Sequence, residues 1–165
     1  MAQAASIAAA KVVAMLTDAS AGLGPAVAEI AANAGVELVG IGAESVIAQN
    51  APVALMEKSS AVKYPVVLVY SDRVQNLLTE KFRSFSGKVR TVAEVRASQD
   101  RIAGLEEKVR LYVDAVTQVL DAKRGDWGQG MFFTGGYEVK FDPVQQGGLN
   151  VLQVAKVIFE VDLSA

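Results

Sequence analysis

Residues 149–163 read LNVLQVAKVIFEVDL, and their alternation decides the fold. Val151, Ala155, Val157, Phe159, Val161 and Leu163 fall on one side of an extended chain. Leu152, Val154 and Ile158 fall on the other, before that side turns polar at Glu160 and Asp162. A strand that is apolar on both sides needs cover on both. At ~25 cal/mol per Å2, a few large aliphatic side chains left in water forgo several kcal/mol. One helix covers one face. The second cover is expected from the N-terminal part of the chain or from another subunit. A long apolar strand at a sheet edge also invites pairing with a second chain.

Reading backwards from this strand, residues 130–141 form a second long strand, with Asp142-Pro143 and Gly147-Gly148 as turn signals between the two. A short connection makes the pair antiparallel. Residues 99–123 carry Ile102, Leu105, Val109, Tyr112, Val113, Val116, Val119 and Leu120 at helical spacing, with Ser98 or Asp100 placed to cap the helix. In residues 87–98, Val89, Thr91, Ala93 and Val95 alternate with Lys88, Arg90, Glu94 and Arg96, a half-buried strand. YPVVLVY at residues 64–70 reads as a buried strand, and Asp72 as the cap of a short helix to Phe82.

The first 61 residues differ in character. They are Ala-rich, and the four Tyr, six Phe and one Trp all lie at or after Tyr64. Residues 4–16 and 25–34 read as helices, with Pro25 at the first position of the second and Gly35 just past its end. Residues 36–41 are a candidate strand, and 45–56 fit neither pattern across Pro52. The expected fold class is therefore α+β. A mainly antiparallel sheet carries a long packed helix, and an Ala-rich helical part precedes it, all in one domain of residues 1–165. A front without an aromatic anchor is expected to pack on the body or on a neighbour.

The 165 residues hold 52% hydrophobic side chains, a net charge of −2, no Cys and no His. Disulfides, thiol or imidazole nucleophiles and Cys/His metal sites are excluded. No positive excess is present to neutralise phosphates, so specific nucleic-acid binding is not expected. No run of ~20 apolar residues spans a bilayer, and Met1 to Ala10 lacks the basic flank and apolar centre of a signal peptide, so an origin in the cytoplasm is expected. No catalytic, cofactor or metal residue is assigned, and the expectation is a protein that is not an enzyme.

Three motifs have bland readings beside sharper ones. KVVAMLTDASAGLG at residues 11–24 is similar to the opening of a short-chain dehydrogenase, but Asp18 replaces the first glycine of the phosphate turn. A Tyr-x-x-x-Lys pair is missing as well, since Tyr137 and Lys140 are three apart. Two helices joined by a Gly turn is the preferred reading, and a small NAD(P)-binding oxidoreductase is the alternative from a different class. Arg124-Gly125-Asp126 spells an adhesion tripeptide and is read as helix termination, with Gly125 just past the helix. Trp127 among glycines is either a loop anchor or a contact tip of an interface. Glu106, Glu107, Asp114 and Asp121 read as a solvated helix face.

From Tyr64 onward the chain resembles tail terminator (tail completion) proteins of tailed bacteriophages. The resemblance rests on YPVVLVYSDRVQN, EKFRSFSGKV, VAEVRASQDRIAGLEEKVRLYVDAVTQVL, RGDWGQGMFFTGGYEVKF and GGLNVLQVAKVIFEVDLSA, in that order. It is a likeness of pattern and order, without a signature motif, and the Ala-rich front fits it loosely. It implies a ring of identical subunits, commonly six, that caps the tail tube and offers the head a docking surface. The implied partners are further copies of the chain, the tail tube protein, a head-closure or neck protein and, in a contractile tail, the sheath protein. The implied location is the virion neck, after synthesis in the host cytoplasm. Loops 82–88 and 124–136 are expected to make the assembly contacts, through Phe82, Phe85, Arg124, Asp126, Trp127, Phe132 and Phe133. Another neck, head-closure or tail adaptor ring remains an alternative, as does a module that joins a partner's sheet edge.

Overall fold

The computed structural model describes residues 3–58 and 62–165. Met1, Ala2 and residues 59–61, where the Ala-rich front is expected to end, lie outside the described residues. The fold is α+β, with four helices and a curled sheet of eight strands among the described residues.

The decisive strand, β8 (Asn150–Ser164), lies inside the sheet. On one side it pairs antiparallel with β3 (Ser86–Gln99) along its whole length, from Ser86↔Ser164 to Gln99↔Val151. On the other side three short strands share its length: β5 (Met131–Phe133), β6 (Tyr137–Phe141) and β7 (Gln145–Gly147), all antiparallel to it. The long strand expected at 130–141 is thus broken in two by the turn around Gly135, whose φ of 103° places it in the left-handed region. β4 (Gly125–Gly128) continues the sheet beyond β5, and β2 (Val66–Asn76) continues it beyond β3. The two-residue β1 (Val46–Ile47) adds to β2 in parallel. The expectation that β8 offers a bare edge is therefore corrected.

One face of the sheet carries Val67, Val69, Val89, Ala93, Val95, Ala155, Val157, Phe159 and Val161. It is buried under α1 (Ala4–Leu16) and α4 (Leu105–Asp121), with α2 (Leu23–Ala34) packed on α4. The front and the body thus share one core. The opposite face of β2 holds Val66 and Leu68 under Ala51 and Met56, the latter from α3 (Val53–Glu57). α3 also touches β7, where Glu57 lies against Gly147 and Gly148. In this part of the sheet Leu152 and Val154 are 0% and 3% exposed. The second face of β8 is thus largely hidden within the chain, and only Ile158 is left half-buried. A sister copy is not required to cover it, which corrects that inference from the sequence.

Four local expectations also change. β2 runs on to Asn76 instead of yielding to a helix at Asp72, because β3 offers it partners down to Asn76↔Gly87, with a register shift between Ser71 and Arg73. α4 starts at Leu105 after Gly104, whose φ is 80°. Gln99 is still paired to Val151, and Ile102 is exposed. Residues 36–41 form no strand: their Val39 carbonyl accepts the Tyr112 hydroxyl at 2.8 Å. Pro25 is the third residue of α2.

Candidate functional site

The likeness to a nucleotide turn does not survive folding. Lys11–Leu16 belongs to α1, so no strand leads into the turn. The amides of Ser20 and Ala21 donate to Asp18 Oδ1 at 2.9 Å each, as does the Ser20 hydroxyl. The donors that would hold a phosphate are spent on the chain's own carboxylate. These bonds, Ala21's first, hold the Asp18 carboxyl below its ordinary range.

The residues expected at an interface separate into two groups. Trp127, Phe133 and Phe159 form one aromatic cluster, with Trp127 and Phe133 centroids 5.3 Å apart and Phe133 and Phe159 5.5 Å apart. Trp127 Nε1 donates to the Lys123 carbonyl at 2.6 Å, which ties β4 to the end of α4. Phe85 is buried too. Trp127, Phe133 and Phe85 are therefore interior anchors, and their assignment to direct subunit contacts is corrected. Gly125 opens β4 instead of ending the helix, which closes at Ala122. The exposed Asp126 carboxylate accepts the Gly128 amide at 2.8 Å and so shapes the β4–β5 hairpin. Arg124 is exposed, with its side chain lying over Gly135.

Phe82 and Phe132 remain at the surface, 103% and 48% exposed. They lie at one end of the sheet, where the β2–β3 loop meets the β4–β5 hairpin and the C-terminus. Phe85 and Ala165 exchange backbone hydrogen bonds of 2.9 and 2.8 Å, and the Ser164 amide donates to the Gly130 carbonyl at 2.9 Å. Asn76 Oδ1 accepts the amides of Leu78 and Ser86. These bonds fix the loop, yet it holds Leu78 and Phe82 outward at φ 48° and 65°. Both are side-chain-bearing residues in the left-handed region, a costly arrangement. A cleft of about 340 Å3 separates the loop from β5, with Leu77, Glu80, Lys88 and Phe132 on its walls.

At the opposite end of β2 lies a feature that alternation alone does not reveal. The pattern of residues 87–98 puts Glu94 and Arg96 on a polar, solvated face, but their side chains are each 5% exposed and form an ion pair. Arg96 Nε donates to Glu94 Oε2 at 2.6 Å, and its Nη2 donates to the Ala51 carbonyl. The Tyr70 hydroxyl donates to Glu94 Oε1 at 2.8 Å, and Lys156 lies 3.8 Å from the same oxygen. Burial, then the bond to Glu94, raises the Tyr70 phenol above its ordinary range, and Tyr64 is raised likewise by burial and by Glu57. Beside this cluster is a cavity of about 350 Å3 lined by Ile47, Ala51, Leu55, Met56, Val62 and Val66, with Glu44 and Lys63 on its polar side. The two-faced apolar pattern of β8 is the available signal. A neighbour of such a strand has both faces covered as well.

Among the described residues no group of acidic side chains converges to hold a metal ion, and no helix is long and apolar enough to cross a membrane. No protein-family model matches the chain, and no curated protein matches it.

Proposed function

We propose that this chain is a tail terminator of a tailed bacteriophage, a structural subunit that closes into a ring on the last layer of the tail tube and presents a docking surface to the head. The observation that carries the reading is the ordered resemblance of residues 64–165. The resemblance implies a mainly antiparallel sheet flanked by helices, and the α+β fold has that arrangement. The end of the sheet bearing Leu78, Phe82 and Phe132 supports it as a second point. Exposed apolar side chains gathered at one end of a sheet suit assembly by shape and buried area. The partners in this reading are further copies of the chain, the tube protein, a neck or head-closure protein and, in a contractile tail, the sheath.

Negative-stain imaging of particles made without this protein tests the reading. Overlong tails are the expected result. Empty heads beside tails of normal length would instead assign the chain to head closure. Normal virions would overturn both.

A further inference from the structure

β6 leaves an edge of the sheet open. It pairs with β8 on one side and, among the described residues, with no strand on the other. The Asp142 amide donates to the Val154 carbonyl at 2.9 Å, so the backbone groups of Asp142, Lys140 and Glu138 point towards β8. Those of Tyr137, Val139 and Phe141 point outwards, each with an N–H donor and a carbonyl acceptor that no strand meets. The register runs unbroken from Tyr137↔Phe159 to Phe141↔Ala155, without a bulge or a proline to blunt the edge. This pairing puts Tyr137, Val139 and Phe141 on the face covered by α4, and Glu138 and Lys140 on the opposite face. Tyr137 and Phe141 are 40% and 45% exposed. Lys140 lies directly across from Lys156, and like charges so placed repel. Lys156 has Glu94 3.8 Å away, but neither Lys140 nor Glu138 has an ion-pair partner among the described residues.

The strand reads Tyr-Glu-Val-Lys-Phe, and run antiparallel this pattern is its own complement. We infer that the β6 strands of two copies pair antiparallel about a twofold axis at Val139, joining two sheets into one. In that register Tyr137 lies across from Phe141 of the second copy, Glu138 across from Lys140, and Val139 across from its own equivalent. The backbone agrees with the side chains. Every outward residue meets an outward residue, so the free donors of each copy reach the free acceptors of the other. A slip by one residue would lose the ladder and the charge match together. The two Glu–Lys pairs supply the carboxylate that Lys140 lacks beside Lys156. One position further, Asp142 falls across from Gly136, next to Gly135, over which the Arg124 side chain lies. Neither Asp142 nor Arg124 has an ion-pair partner among the described residues of its own chain. Pro143, without an N–H, then meets Gly135 with its φ of 103°, and the ladder ends there on both sides. The contact joins one surface to itself and closes with two copies. It is independent of the ring reading, in which the contacts run head to tail.

Charge reversal tests the pairing. Sedimentation equilibrium compares the full-length wild type with Glu138→Lys and with Lys140→Glu. Both positions are exposed, and circular dichroism checks that the variants fold. Each variant alone sets like charges across the axis twice and is expected to weaken dimerisation by about tenfold. Mixed together, the two variants restore opposite charges at both places, and a heterodimer of wild-type affinity is expected. A local loss of folding would not be repaired by mixing. The chain has no Cys, so a second measurement is available. Residues 138 and 140 of opposite copies form a pair without backbone bonds, with Cα atoms ~4.5 Å apart, within disulfide reach. Glu138→Cys and Lys140→Cys, mixed and mildly oxidised, are expected to cross-link well above the level of either alone. Wild-type oligomers that persist in both charge variants, without the mixed cross-link, overturn the contact. A wild type that stays monomeric up to roughly 1 mM also overturns it. Neither result bears on the ring reading, which the imaging of particles decides.

Discussion

Arg96 and Glu94 project from the same face of β3 and form an ion pair with both side chains 5% exposed. The pair sits under the segment before α3, where the Ala51 carbonyl accepts Arg96 Nη2, and Glu94 also gathers Tyr70 and Lys156. Removing one partner strands the other charge in the interior. Glu94→Ala is expected to destabilise the protein by about 3–5 kcal/mol, read from urea unfolding. The double variant that combines Glu94→Leu with Arg96→Met removes both charges and keeps the volume, and it is expected to cost clearly less. A single-variant loss below about 1 kcal/mol would mean that the pair behaves like an exposed one.

The two phenols beside this pair set an alkaline limit. Tyr64 and Tyr70 titrate above their unfolded value of 10.0 because burial and neighbouring carboxylates favour the neutral form. A folded-state value above the unfolded one contributes stability that is complete below pH 10 and is lost as pH rises beyond it. The melting temperature is therefore expected to fall from pH 10 upward, and Tyr70→Phe to flatten part of that fall. A profile unchanged by Tyr70→Phe would show that the Glu94 contact does not govern it.

What is legible in the sequence is what periodicity alone dictates. α1, most of α4, β3 and β8 follow from spacing, because each has a mainly apolar face. The far half of β2 is not legible. Ser71–Asn76 is polar, and it is a strand only because β3 supplies partners from across a loop. The cover over β8 escapes a sequence reading for a similar reason. Nothing local to residues 43–57 says that this stretch will lie on the second face of the sheet. The resemblance implies assembly contacts for the loops that hold these aromatic residues, yet Trp127 and Phe133 meet Phe159, a contact across strands that no spacing reveals.

That aromatic cluster gives a direct readout of folding, since Trp127 is the only tryptophan. Buried against Phe133 and Phe159, its emission is expected to lie to the blue in the folded protein and to shift red in a single step on unfolding. Trp127→Ala is expected to cost about 3–5 kcal/mol, and Trp127→Phe less, because the ring contact with Phe133 is kept. The loss of the Nε1 bond to the Lys123 carbonyl remains in both. Comparable losses for the two variants would mean that this hydrogen bond outweighs the packing.

Two glycines are expected to respond in opposite directions to the same methyl group. Gly130 has φ 80°, and a Cβ there would sit 2.0 Å from the Ser164 carbonyl oxygen. Both the backbone angle and the collision oppose a side chain. The nearest escape is to move β5 away from Leu163, which breaks the bond from the Ser164 amide to the Gly130 carbonyl. Gly130→Ala is therefore expected to cost more than about 2 kcal/mol and to speed hydrogen exchange at Ser164. Gly40 has no positive φ, and a Cβ there meets nothing within 4 Å. Gly40→Ala is expected to stabilise by up to about 1 kcal/mol, through a less flexible unfolded chain. If both changes shift the urea midpoint the same way, the close approach of the C-terminal strand to the β4–β5 turn is not what fixes Gly130.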